Sequence, residues 1–262
     1  MDIYSKIVSC FDLKRGDCIW LSSELIKLVL LLKRNNITFD GNALIETFQK
    51  AVGQEGTILI PNFSFEFSNH KFYDIRKTKG VTGALGNIAL NRDDFKRTKH
   101  PMHSFEVWGK DQDYLVTLDN RNSFGSDSPF AYCISHNVKQ IILGTDYVHA
   151  MTFVHYAEVS CNVPYRFAKT FTGKYVHEDG SEEAYSCDYA ARKLEIRPTE
   201  CFNRMGTILE KAGTSKRIDT LGINSYLVDL AKSFPIICED IISNQCKNIY
   251  EFNIPREEIF TY

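Results

Sequence analysis

Between DCIWLS (17–22) and TILIP (57–61) the chain spells out a β-α-β unit. The first run alternates loosely and ends in the hydroxyl pair Ser22 and Ser23, as a strand running into a helix does. The second is a short β-branched run stopped by Pro61, the form of a buried strand that gives way to a loop. Between them, 24–34 has helical period, and 42–52 repeats it with Leu44, Ile45 and Phe48 on one face before Gly53 and Gly56 end the pattern. Two strands joined by a helical crossover predict an α/β fold and set Ser22 and Ser23 at a strand-to-helix corner, where ligand sites form.

Outward from this unit, 1–16 reads as a short entry helix. The apolar run 25–32 is broken by Lys27 and followed by Lys33 and Arg34, far short of the roughly 20 apolar residues of a membrane span, so it reads as a buried helix. The stretch 62–98 is irregular and aromatic, the pattern of a long functional loop with one short helix at 85–90. A second strand-turn-helix corner follows at QIIL (140–143), Gly144 and a helix over 152–161. Beyond it, alternation at 174–176 around Glu178-Asp179-Gly180 predicts a hairpin, and 198–213 and 225–233 have helical period. No repeat or linker interrupts the chain. The expected architecture is α/β, a mixed central sheet flanked by helices with a C-terminal α+β portion packed on it, and 1–262 is taken as one domain.

Composition bounds the function classes. With 262 residues, 44% hydrophobic and 24% charged, the chain can bury a core without staples. Its 31 Lys and Arg against 33 Asp and Glu give a net charge of -2, with no bulk field toward polyanions, so nucleic acid is not an expected partner. The start at Met1-Asp2-Ile3 carries no basic run, apolar signal core or cleavage site, which places the protein in the cytoplasm with no membrane partner. The 8 cysteines include no Cys-x-x-Cys pair and no histidine at zinc-finger spacing, the usage of reduced core thiols rather than of structural zinc.

Three constellations could carry chemistry. In TFVHYAE (152–158), His155 and Glu158 are i,i+3 neighbours on a helix, so the carboxylate can fix the tautomer of the ring and raise its basicity. That spacing alone fits an ordinary surface pair more often than a catalytic one. RTKHPMHS (97–104) gathers a guanidinium, hydroxyls and imidazoles that suit a phosphate, or simply a solvated turn. Neither a P-loop nor a dinucleotide-binding glycine pattern is present, and Gly80, Gly83 and Gly86 fit neither spacing. FGSDSP (124–129) reads as plain capping, with Ser128 as N-cap and Pro129 opening a helix over 129–135. A metal held by His100, His103, His149 and His155 is disfavoured, because no carboxylate lies close in sequence to the first pair.

Taken in order, VGQEGTILIPNFS (52–64), RTKHPMHS, FGSDSP, ILG (142–144) and TFVHYAEVSCNVPYR (152–166) resemble the aminoglycoside 3-N-acetyltransferase family over roughly residues 10–235, with LGINS (221–225) a looser match. The resemblance implies an N-acyltransferase that moves an acetyl or related short acyl group, hydroxybutanoyl included, from acyl-CoA to the amine of an amino sugar, with no metal. By position it implies His155 as general base and Glu158 as its orienting carboxylate; the negative charge that then develops on the thioester oxygen needs preorganised donors, for which Thr98 or a main-chain amide near Ser22 is the candidate. It further implies that Ser22, Ser23, Arg97, His100 and Ser104 bind CoA with Gly83 along the pantetheine path, and that Ser64 and Thr152 meet the acceptor.

The chain departs from the family pattern at Leu21-Ser22-Ser23, where His-Ser-Ser or His-Ala-Ser is common, and in a loop at 145–151 about one residue longer. Because Lys71, Arg76, Lys77 and Lys79 stand in the motif-bearing loops, the expected acceptor is a nucleotide-linked amino sugar used for surface polysaccharide. The alternatives are an aminoglycoside antibiotic, which as a polycation should be met by carboxylates, and a non-catalytic CoA or nucleotide-sugar binding module. Cys161, beside the active helix, is a competing nucleophile. The aromatics over 63–73 line either a cleft or a homodimer interface.

Overall fold

The computed structural model describes residues 1–260. Helix α1 (Ile3–Ser9), capped by the Asp2 carboxylate on the Ser5 amide, leads to strand β1 (Cys18–Ser23). Helices α2 (Ile26–Arg34) and α3 (Gly41–Val52) carry the chain back to β2 (Thr57–Pro61), which pairs parallel with β1 at Cys18 opposite Thr57. The β-α-β unit is thus as expected, with one difference. In α2 only Leu28 and Leu32 are fully buried, while Ile26 and Leu30 are 68% and 49% exposed, so this is a surface helix rather than a buried one.

The segment 62–98 is not one long loop. It holds α4 (Glu66–His70), β3 (Phe72–Asp74), α5 (Ala84–Ala89) and β4 (Lys96–Arg97), because its aromatics have a second sheet to pack against. Phe67 and Tyr73 are buried there, Phe63 is buried in the main core, and of the aromatics over 63–73 only Phe65 and Phe72 are exposed. Then come β5 (Phe105–Gly109), α6 (Gln112–Thr117), α7 (Pro129–Ser135), β6 (Lys139–Leu143), α8 (Tyr147–Ala150) and α9 (Phe153–Ser160). The Ser128 side chain caps α7 at the Ala131 amide with Pro129 in the first turn, as the motif predicts.

The predicted hairpin is far longer than its local signal: β7 (Arg166–Val176) and β8 (Glu182–Arg192) pair along their whole length and join β3 in a three-stranded sheet. Two-residue strand β9 (Thr199–Glu200) precedes α10 (Phe202–Lys211), followed by β10 (Ser215–Thr220), β11 (Ile223–Asp229), α11 (Leu230–Asn244), β12 (Tyr250–Glu251) and α12 (Arg256–Ile259). The helix expected over 225–233 is therefore corrected: its first half is strand and helix begins only at Leu230. The residues of β11 pair with both β10 and β6, and that pairing overrides a local period compatible with either state.

The main sheet has seven strands in the order β10-β11-β6-β1-β2-β5-β4, with β1 parallel to β2 and β6 and the outer strands antiparallel. This is the expected mixed sheet with helices on both faces, and the C-terminal β10–β11 pair extends it. Alternation along β1 splits its side chains: Trp20 enters one core with Leu59, Phe105 and Ile142 under α7, α9, α10 and α11, while Ile19 and Leu21 enter the other with Ile58, Ile60 and Ile141 under α1, α2, α3 and α5. Among the described residues no helix is long and apolar enough to cross a membrane.

Candidate active site

A cavity of about 800 Å³ opens where the parallel strands β1, β2 and β6 end. The carboxyl edge of such a sheet is where strands hand over to helices and leave a crevice between them. Ser22 and Ser23 line it from the end of β1, Pro61 from the end of β2, Gly83 from the turn before α5, and Thr152 from the N-terminus of α9. Ser22 Oγ accepts from Gln140 Nε2 at 3.1 Å, and the same amide donates to the Ala150 carbonyl at 2.8 Å, which ties β6 to both sides of the crevice. Gly83 has φ +105°, and a Cβ there would lie 2.9 Å from the Ser23 carbonyl oxygen, so only glycine fits.

The cavity carries a small excess of carboxylates. Glu24, Asp146 and Glu210 line it, against Lys27 and Arg217. Asp146 sits below its ordinary value: burial would raise it, and hydrogen bonds from Asn203 and His149 outweigh that. Lys27 Nζ donates to the Gly144 carbonyl and Arg217 to the Tyr226 hydroxyl. Lys71, Arg76, Lys77 and Lys79, which the sequence sets in the motif-bearing loops, do not line this cavity. Lys71 lies against Gly173 of the small sheet, and Arg76 forms an ion pair with Asp74 at 2.9 Å.

One turn beyond Thr152, the predicted dyad is formed. His155 Nδ1 lies 2.6 Å from Glu158 Oε2, and Glu158 is fully buried. The chain then turns at Asn162, in the left-handed region with φ 52°, and returns two further partners at the start of the hairpin. Tyr165 Oη donates to Glu158 Oε1 at 2.6 Å and Arg166 Nε donates to Oε2 at 2.8 Å. Burial would raise the Glu158 carboxyl, yet Arg166 and His155 hold it at about 2. His155 is pushed below its ordinary value by burial first and by the Arg166 guanidinium second, against the upward pull of Glu158. Its side chain keeps 21% exposure between the rings of Phe124 and Phe202, 6.0 and 6.1 Å away. Tyr165 and Arg166 are partners of the dyad that sequence reasoning missed: both stand in the quoted TFVHYAEVSCNVPYR segment, but nothing local to them points back at Glu158.

The RTKHPMHS segment is placed inside the protein rather than on the cavity. Arg97 Nε donates to Ser104 Oγ, Nη1 to the Ile75 and Thr78 carbonyls and Nη2 to the Asn62 carbonyl, beside Glu106 at 3.3 Å. Thr98 Oγ1 accepts from the Phe105 amide, and His100 Nδ1 accepts from the Met102 and His103 amides. Ser104 Oγ donates to the Asn62 carbonyl, and Ser64 Oγ accepts from the Glu66 amide. These five side chains brace the turn between β4 and β5 and the start of α4, because buried polar groups must find partners and the backbone supplies them. The fold therefore brings Ser22, Ser23, Gly83 and Thr152 together on the cavity, while His155 and Glu158, on the helix that Thr152 begins, are not among its lining residues. It leaves Thr98, Arg97, His100, Ser104 and Ser64 off that cavity. Among the described residues no group of three or more His, Cys, Asp or Glu could hold a metal ion.

Residues 32–239 match the family model described as aminoglycoside 3-N-acetyltransferase. The chain is 25% identical over 237 residues to the SPbeta prophage-derived aminoglycoside N(3')-acetyltransferase-like protein YokD of Bacillus subtilis (strain 168), covering 79% of this chain and 81% of that one. Its fold is similar to the crystal structure of aminoglycoside acetyltransferase AAC(3)-Xa, with a TM-score of 0.75 at 17% identity over 92% of this chain and 91% of that one. It is also similar to AAC-IIIb in its binary form with CoASH, with a TM-score of 0.74 at 17% identity over 94% of this chain and 96% of that one.

Proposed function

The chain belongs to the aminoglycoside 3-N-acetyltransferase family and is an N-acetyltransferase, and from that premise we propose that it moves an acetyl group from CoA to an amine of a polycationic amino sugar of the aminoglycoside kind. The observation that carries the catalytic part is the His155–Glu158 contact at 2.6 Å. A sugar ammonium has no lone pair to attack with, so the amine reacts after giving one proton to solvent, and a base must remove a second as the C–N bond forms. His155 is that base: Nδ1 is engaged by Glu158, which leaves Nε2 to accept the proton. The C–S bond of the thioester breaks, and the proton on Nε2 passes to the departing thiolate.

CoA is the acetyl donor in this reading, in keeping with the family and with the relative solved with CoASH. Ser22, Ser23 and Gly83 flank the path of its pantetheine arm at the end of β1, and Thr152 stands between that arm and the acceptor. Arg97, His100, Ser104, Thr98 and Ser64 serve by bracing the walls rather than by touching reactants. The polarity of the cavity favours a polyamine: Glu24, Asp146 and Glu210 outnumber Lys27 and Arg217, and Lys71, Arg76, Lys77 and Lys79, which suggested a nucleotide-linked acceptor, are not among its lining residues.

Release of free CoA from acetyl-CoA tests both parts, with aminoglycosides and nucleotide-linked amino sugars offered separately. We expect release with aminoglycosides and, in His155→Ala, a loss on the order of 10²- to 10⁴-fold with CoA binding retained. Release with nucleotide-linked sugars alone would restore that acceptor class, and full turnover in the variant would remove His155 as the base.

A further inference from the structure

The Nδ1 atom of His155 has two close neighbours that cannot both be its hydrogen-bond partners. Glu158 Oε2 lies 2.6 Å from it and Arg166 Nη2 2.9 Å. A ring nitrogen of a neutral imidazole either carries a proton and donates it, or presents a lone pair and accepts. An ionised carboxylate can only accept, so a contact this short places the proton on Nδ1. Arg166 Nη2 therefore faces an N–H, not a lone pair. The guanidinium is fixed by other bonds: Nε to Glu158 Oε2 at 2.8 Å, Nη1 to the Ala190 carbonyl at 2.8 Å, and Nη2 to the Tyr250 hydroxyl at 3.4 Å. With its side chain 7% exposed, it stands beside the imidazole as a fixed and weakly screened positive charge.

We infer that Arg166 is a positioning residue of the acetyl transfer, one that keeps His155 unprotonated and its Nε2 free to take the proton of the acceptor amine. The inference rests on the reading of His155 as the base. A buried carboxylate next to an imidazole would by itself favour the imidazolium and so occupy the base before the substrate arrives. Arg166 shares that carboxylate and repels a second positive charge, so the resting site holds one cation, one anion and a neutral ring. The other groups that face His155 do not supply this effect. Glu200, on β9, pulls toward protonation, and His103, in the turn before β5, is itself buried and neutral. Phe124 and Phe202 pack on it edgewise and carry no charge. The downward displacement of His155, to which burial contributes most and Arg166 next, agrees with the geometry.

The test follows the His155 ring by NMR through a pH titration in wild type, Arg166→Gln and Arg166→Lys, with the pH profile of kcat/KM measured alongside and His155→Ala assigning the signal. In Arg166→Gln the His155 midpoint should rise by about one pH unit or more, and the acid limb of kcat/KM should move up with it, whereas Arg166→Lys should stay near wild type. An unmoved midpoint in folded Arg166→Gln overturns the inference. Should that variant not fold, Arg166→Met takes its place with the same expected rise, and a wild-type midpoint above the ordinary 6.5 overturns the inference equally. Undiminished activity of His155→Ala strikes the reading of the base instead, and the two failures are told apart because the titration needs no turnover.

Discussion

His100 shows what a single buried imidazole does to the response of the protein to acid. Burial holds it neutral, with a pKa lowered from 6.5 to about 4, and its Nδ1 accepts two backbone amides that a protonated ring could not satisfy. Its folded value is depressed, so the unfolded chain binds the proton first. The contribution is complete above pH 6.5 and is lost as pH falls toward 4, roughly 3 kcal/mol in all. Urea unfolding from pH 7 to 4 should show stability falling over that window and a smaller fall in His100→Asn; parallel curves would remove His100 as the sensor. Glu158 acts on a lower window: its folded value of about 2 lies below the ordinary 4.5, so the stability it contributes is complete above pH 4.5 and is lost as the pH falls from there toward 2. The i,i+3 spacing of His155 and Glu158 is legible from the chain because a helix puts those positions on one face. Tyr165 and Arg166 are not, since their approach depends on the turn at Asn162 and on the course of the hairpin.

Among the elements, the turn that ends at Gly83 is the most constrained part of the cavity wall. Its φ of +105° with ψ 171° belongs to a region that only glycine occupies at little cost, and its missing Cβ lets the chain approach the Ser23 carbonyl. Gly83→Ala should lose about 1–3 kcal/mol in chemical unfolding and weaken CoA binding. Gly213→Ala, also at positive φ but with open space around it, should leave CoA binding untouched. Equal effects of the two on binding would show that the wall at Gly83 takes no part. The helix α7 was fully legible, because Ser128 and Pro129 are local instructions that no distant contact contradicts. The strand β11 was not: Ile223–Asp229 supports two periods, and the free edge of β6 chooses between them.

Over the whole molecule, charge is nearly balanced, yet the fold sorts it. The large cavity carries three carboxylates against two cations, while Lys71 and Arg76 are held at the small sheet and Lys77 and Lys79 are not among the cavity's lining residues. Replacing Lys71, Lys77 and Lys79 together by alanine should leave the KM for a polycationic acceptor within about twofold, whereas Glu210→Gln should raise it several-fold, an effect that salt diminishes. A rise in KM from the lysine variant alone would return the acceptor to the basic loop.

From the chain by itself came the β-α-β unit, the strand ending at Leu143, the capped helix after Ser128, the His155–Glu158 pair and, through five motifs in order, the family. Each is written in residues a few positions apart, where period, capping and backbone hydrogen bonding act. Only the tertiary structure decided that Arg97, Thr98, His100 and Ser104 are interior braces, that 62–98 builds part of a second sheet, and that Arg166 stands over the dyad. Those outcomes depend on partners far away in sequence, such as Asn62 for Arg97 and Ala190 for Arg166. A buried polar side chain and an exposed one are the same letter until the fold supplies or withholds the partner.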